Sequence, residues 1–167
     1  MKETTKMVMS MFLVTVIATA LLSFVYALTA PIIAAQKQLS LSNDLKQFFP
    51  NSDEVKVVNQ TYQVFEKGNL VGYAALTSAK GYSSTISLLV AIGLDHKVVG
   101  ISVLSQQETP GLGSKVQDQS FLSQFIGKSD SELSLRKYGG QIDGITSATI
   151  SSKAVTEAVR LKVEEIK

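Results

Sequence analysis

Residues 86–104, ISLLVAIGLDHKVVGISVL, decide the fold. Ile86, Leu88, Val90, Ile92 and Leu94 alternate with smaller residues, which is the period of a strand with one buried face. Asp95-His96-Lys97 then reads as a turn, and Val99, Ile101 and Val103 resume the alternation over Val98–Leu104. Two alternating runs joined by a short polar turn predict an antiparallel hairpin. Working toward the N-terminus, Val55–Val58 and Tyr62–Phe65 are strand-like. Lys67-Gly68-Asn69 is a turn signal, Leu70–Leu76 returns, and Ala79–Ser84 reads as a loop. Toward the C-terminus, Phe121, Leu122 and Phe125 fit a short helix ending near Gly127. Val155, Ala158, Val159, Val163 and Ile166 fit an amphipathic helix from about Ser152. Strands in the middle and helices at both ends predict an α+β domain: an antiparallel sheet flanked by helices.

The N-terminal part is of a different kind. No charged residue occurs from Met7 to Gln36, and Val8–Ala30 is apolar or small apart from hydroxyl residues. A helix of about 20 residues spans the hydrocarbon core. The run exceeds the apolar core of a signal peptide, and Ala27-Leu28-Thr29-Ala30-Pro31 is a poor cleavage site, so an uncleaved transmembrane helix is expected over 8–30. Lys2 and Lys6 on one side, with Gln36 and Lys37 on the other, bound it. The positive flank predicts a cytoplasmic N-terminus and an extracytoplasmic C-terminal domain, in contact with the lipid bilayer through this single pass. Pro31 is expected to kink the exit. Beyond it Leu41, Leu45, Phe48 and Phe49 form a helical apolar stripe, stopped by Pro50-Asn51-Ser52-Asp53. The expected division is a membrane anchor over 1–36 and a folded domain over 37–167.

Composition removes several classes of function. The 167 residues carry a net charge of +2, with no basic run interleaved with aromatics, so nucleic acid is not an expected partner. There is no cysteine and a single histidine, His96, which excludes thiolate-held clusters and makes no transition-metal site. No Gly-x-Gly-x-x-Gly follows a strand, and no phosphate loop ends in Gly-Lys-Ser/Thr. A redox role would therefore need an organic cofactor.

Two segments carry candidate chemistry. The first is Asp143-Gly144-Ile145-Thr146-Ser147-Ala148-Thr149-Ile150-Ser151-Ser152, which places the Thr149 hydroxyl just before the expected last helix. A helix N-terminus offers free N–H donors and partial positive charge, a seat for phosphate. On spacing alone Thr146, Thr149, Ser151 and Ser152 read as ordinary caps of that helix. The second is Glu108-Thr109-Pro110-Gly111-Leu112-Gly113, which reads as a type II turn. The glycines would let its backbone approach a flat ring closely.

Asp143, Thr146, Ala148 and Thr149 resemble the flavinylation motif of FMN-binding domains in the Rnf and Na+-pumping NADH:quinone oxidoreductase complexes. In that motif the final Thr or Ser carries FMN through a phosphoester, and Ser147 stands where the family usually has Gly. The hexapeptide Glu108–Gly113 resembles the family loop that packs on the flavin. The likeness covers most of the chain, closest to the Rnf G subunit, with the C subunit of the Na+-pumping complex as the near alternative. It implies covalent FMN on Thr149, with Ser147, Ala148, Thr146 and Asp143 around the acceptor. It implies Glu108, Thr109, Gly111, Leu112 and Gly113 against the ring, Tyr82, Ser83 and Ser84 in a nearby loop, and Lys153 as a candidate partner of the phosphate. It also implies an electron-transfer subunit of an ion-translocating oxidoreductase, without a catalytic site of its own. Its partners would be the neighbouring membrane subunits and, during maturation, a flavin transferase that recognises Asp143. A rival from another class is a membrane-anchored adaptor with no cofactor, in which the Ser/Thr-rich segment is only a cap.

Overall fold

The structure, a computed structural model, describes residues 2–59 and 61–167. The side chains of Lys2 and Lys37, two of the markers used to bound the anchor, lie outside the described residues. Two compact units cover residues 1–39 and 40–167.

The first unit is helical. It is part of α1, Lys2–Phe48, whose segment Glu3–Ile33 is long and apolar enough to cross a membrane. Several of its hydroxyls are returned to its own backbone. Ser10 Oγ donates to Met7 O (2.9 Å), Thr15 Oγ1 to Phe12 O (2.8 Å) and Thr19 Oγ1 to Thr15 O (2.8 Å), so these groups are satisfied within the helix. The helix runs on past Pro31, where the sequence suggested a kinked exit, and takes in most of the Leu41–Phe49 stripe. Proline costs the ladder one N–H, but residues 32–49 contain no glycine or proline, and the next stop is Pro50.

The second unit is built on a five-stranded antiparallel meander. Its strands are β1 (Glu54–Val58), β2 (Thr61–Glu66), β3 (Asn69–Lys80), β4 (Thr85–Gly93) and β5 (Val98–Ser105), in that spatial order. Lys67 (φ 50°) and Gly68 (φ 79°) form a two-residue turn between β2 and β3 with both φ positive, the geometry whose twist matches the flanking strands. β3 runs through Ala79 and Lys80, which pair with Ile86 and Thr85. The loop that was read over Ala79–Ser84 therefore shrinks to Gly81–Ser84.

Helices cover both faces of the sheet. Ile86, Leu88, Val90 and Ile92 of β4 pack with Val155, Val159 and Val163 of α3 (Thr149–Ile166) in one core cluster. Leu89 and Ala91, on the opposite face of β4, pack with Leu45 from the last turn of α1 and with Phe49 just after it. The sequence reading gave β4 one buried face. It has two, because the Leu41–Phe49 stripe covers the second. Two strand glycines make this possible: Gly100 lies directly under the Phe48 ring, and Gly72 under Phe49, where added Cβ atoms would overlap the rings. Each fully buried Leu, Ile, Val or Phe contributes about 1.5–3 kcal/mol of burial, so the two faces together hold the sheet. Between β5 and α3 the chain forms short turns of helix, among them α2 (Gln119–Leu122). Phe121 and Phe125 meet there edge to face at 5.3 Å.

Candidate functional site

Three segments meet at one end of the sheet: the Gly81–Ser84 loop after β3, the Gln106–Gly113 segment after β5, and the approach to α3. Between them lies a cleft of about 490 Å³, lined by Tyr82, Glu108, Thr109, Leu112, Gly113 and the run Ser147–Ser151. That volume falls in the range of small-molecule sites.

The centre of the assembly is Glu108, only 5% exposed. Its Oε1 accepts from Ser83 N (3.1 Å), Ser84 N (2.8 Å) and Ser84 Oγ (3.0 Å). Its Oε2 accepts from Tyr82 N (3.1 Å) and from Ser151 Oγ (2.6 Å). Burial pushes the carboxyl pKa up, but the donors led by Ser151 and Ser84 outweigh it and bring the pKa from 4.5 down to about 2. Gly81 and Gly113 make room for this carboxylate, since a Cβ on either would stand 2.6 or 2.7 Å from one of its oxygens. The smallness of Gly113, expected from the sequence to admit a ring, is thus required by Glu108.

Gly111 has another reason. Leu112 N donates to Thr109 O (3.2 Å) across a turn with Pro110 second and Gly111 third, and Gly111 has φ 76°, as a type II turn demands. Its N–H is given to Ser114 Oγ (2.9 Å), and it does not line the cleft.

α3 begins at Thr149, three residues before the sequence suggested, so Thr149 is its first residue and not the residue before it. The N-cap is Ala148, and no side chain caps the helix. The hydroxyls are used otherwise. Ser151 binds Glu108, and Ser152 Oγ donates to Ala148 O (2.9 Å) while accepting from Ile145 N (3.0 Å). Among the described residues, the exposed Thr149 hydroxyl has no hydrogen-bond partner. The first N–H groups of α3 have no side-chain cap, and the residues that carry them, Thr149–Ser151, line the cleft. Ser147, where glycine was usual in the resemblance, adopts the left-handed conformation (φ 66°) that glycine takes freely.

Some expected site residues lie outside the cleft. Ser83 and Ser84 stand behind it as donors to Glu108. Thr146 does not line it. Asp143 is exposed and held from two sides. Arg136 Nε and Nη2 donate to its Oδ1 and Oδ2 (2.7 and 3.2 Å), and its N–H donates to Gln124 Oε1 (2.7 Å). The Arg136 hydrogen bond holds the Asp143 carboxyl below its usual value. Lys153 departs from its expected place. Its ammonium lies 5.3 Å from the Tyr138 ring centroid, beside a separate groove, and it does not line the cleft. Ile150 was missed. It lines the cleft and is 55% exposed, and it falls roughly opposite Val159 on α3, an apolar residue off the buried stripe. With Tyr82 (71% exposed) and Leu112 (44%), it gives the cleft an apolar rim.

Comparison with known proteins accords with this geometry. The family described as FMN-binding domain matches residues 81–164, which contain every residue of the cleft, and the RnfG N-terminal region matches residues 1–48. The G subunit of the proton-translocating ferredoxin:NAD(+) oxidoreductase complex of Clostridium ljungdahlii is 38% identical over 153 aligned positions, covering 87% of this chain and 82% of the relative. The G subunit of the ion-translocating oxidoreductase complex of Methanosarcina acetivorans is 31% identical, covering 99% and 95%. Among solved structures, the C subunit of the Na(+)-translocating NADH-quinone reductase of Parabacteroides distasonis has a TM-score of 0.51 at 25% identity, over 60% of this chain and 57% of that one. Shewanella oneidensis NqrC shares the fold, with a TM-score of 0.52 at 22% identity over 68% and 66%. The chain belongs to the family of G subunits of ion-translocating oxidoreductase complexes.

Proposed function

We propose that this chain is the flavin-carrying electron-transfer subunit of a membrane ion-translocating oxidoreductase, with FMN joined to Thr149. The observation that carries the reading is the unpartnered Thr149 hydroxyl at the uncapped start of α3, opening on a cleft rimmed by Tyr82, Leu112 and Ile150. A phosphate at that helix start would meet free N–H donors, and the apolar rim would meet the flat ring. Attachment would form an Oγ1–P bond as the hydroxyl loses its proton and the phosphorus of a flavin dinucleotide donor parts from a nucleoside monophosphate, in a reaction run by a flavin transferase. The flavin then supplies the redox chemistry, while the chain holds it between donor and acceptor subunits. A tethered flavin is not lost from an extracytoplasmic domain, which is where the Lys2/Lys6 flank would put residues 40–167. The match at 38% identity to a ferredoxin:NAD(+) oxidoreductase subunit favours this complex type over the Na+-pumping quinone reductase.

The test is intact-mass analysis of protein from the native host. The expected mass exceeds the chain by FMN less one water, and denatured protein stays yellow. Thr149→Val protein that still holds flavin after denaturation would sink the assignment, and a parent chain without flavin would favour the adaptor reading.

A further inference from the structure

The link between Glu108 and Ser151 joins two parts of the cleft that are 43 residues apart in sequence. On one side Glu108 gathers the backbone N–H groups of Tyr82, Ser83 and Ser84. On the other it takes the hydroxyl of Ser151, which is itself 1% exposed. Ser151 sits two residues after Thr149 in the first turn of α3. That turn has no side-chain cap, and it is entered through Ser147 in the left-handed region and Ala148 at φ −133°, ψ 38°. An uncapped helix start frays unless something else holds it. Here Glu108 takes that part. It binds the Ser151 side chain and no backbone N–H of α3, so the first-turn donors remain available. Successive residues on a helix are about 100° apart, so pinning Ser151 inward turns Thr149 outward.

We infer that Glu108 is a positioning residue for covalent attachment at Thr149: through Ser151 it holds the first turn of α3 against the Tyr82–Ser84 loop and so sets the direction of the acceptor hydroxyl. The inference rests on the attachment proposed above. It adds that attachment depends on a carboxylate which itself makes no bond to phosphorus. Gly81 and Gly113 belong to the same device, because a Cβ on either would stand 2.6 or 2.7 Å from a Glu108 oxygen and push the carboxylate from its donors.

The experiment uses the full-length membrane protein, co-produced with its flavin transferase. The fraction carrying flavin is followed by intact mass at a temperature where every variant is folded. Ser151→Ala removes one hydroxyl and is expected to slow attachment at least fivefold. Glu108→Gln, whose amide cannot accept all five donors, is expected to slow it more than tenfold. Lys97→Ala, at an exposed position in the turn between β4 and β5, keeps the parental rate. Hydrogen exchange of the unflavinylated proteins supplies a second readout. In Ser151→Ala the amides of residues 82–84 and of residues 152–155, the first bonded ones of α3, should both exchange faster, with the β4 amides unchanged. Attachment at the parental rate in Ser151→Ala overturns the inference, as does faster exchange on only one side of the clamp. If Glu108→Gln does not fold, Ser151→Ala decides alone. A parent chain without flavin would instead remove the attachment reading, and the clamp would then stand or fall on the exchange data.

Discussion

Gly113 lies so close to Glu108 that a Cβ built on it would stand 2.7 Å from the carboxylate oxygen Oε2 and 2.9 Å from the Glu108 Cβ. Gly113→Ala must therefore move a buried side chain that holds five hydrogen bonds. Overpacking and lost bonds of this kind cost about 1–3 kcal/mol. Gly111→Ala meets nothing within 4 Å and suffers only from φ 76°, a penalty of about 1–2 kcal/mol. Urea unfolding should show both variants destabilised. Only Gly113→Ala should also lose amide protection at Tyr82–Ser84, since only it displaces their acceptor.

Ser147 yields the opposite sign. Its φ of 66° costs a serine about 1–2 kcal/mol, whereas a glycine there gives up only about 0.5–1 kcal/mol of unfolded-state entropy. Ser147→Gly should stabilise the domain by about 0.5–1 kcal/mol in urea unfolding, and Ser147→Val should destabilise it by more than Ser147→Ala.

Much of this was legible in the sequence because it depends on local pattern. The β4–β5 alternation, the Lys67-Gly68 turn and the Pro110-Gly111 turn each follow from residues within a few positions of one another. What was not legible depends on distant partners. The second buried face of β4 exists because Phe48 and Phe49 reach Gly100 and Gly72. The early start of α3 comes from Ser151 and Ser152 being bound by Glu108 and Ile145, so they enter the helix instead of capping it. Lys153 is one helical turn from Thr149, yet its ammonium stands 5.3 Å from the Tyr138 ring, a neighbour that local spacing does not reveal. The role of Glu108 was hidden for the same reason: none of its five donors is within 20 residues of it in sequence.

Acid should expose that role. The Glu108 pKa is lowered from 4.5 to about 2, against the burial that raises it, by hydrogen bonds from Ser151, Ser84 and Ser83. A lowered folded-state pKa contributes stability that is fully present above the unfolded value and is lost as pH falls through the folded one. The window is therefore about pH 4.5 down to about 2, and the amount is on the order of 3 kcal/mol. Urea midpoints measured from pH 6 to 2.5 should fall along this course in the parent. In Glu108→Gln they should start lower and depend less on pH over the same range.

Orientation in the membrane can be tested because the chain has no cysteine. Single cysteines at Lys97 and Glu157, both exposed, should react with an impermeant thiol reagent in intact cells or spheroplasts. Labelling seen only after permeabilisation would mean that the Lys2/Lys6 flank does not set the topology.

The apolar rim separates holding the flavin from tuning it. Leu112 and Ile150 are exposed beside Thr149, and neither shares in the Glu108 hydrogen bonds, so changing them leaves the acceptor turn intact. Leu112→Ser and Ile150→Ser should keep FMN on Thr149, as judged by intact mass. Both should shift its reduction potential, because a polar rim admits water to the ring edge and alters the relative stability of the oxidised and reduced forms. About 30 mV for a two-electron couple corresponds to about 1.4 kcal/mol, the scale expected for one altered contact to a charged group. Gly111→Val is a poor probe of the same contact, since a β-branched residue at φ 76° breaks the turn itself. Redox titration of the two serine variants beside the parent decides the matter. If both potentials equal that of the parent, the ring does not rest on this rim, and Tyr82, the most exposed aromatic of the cleft, becomes the next position to change.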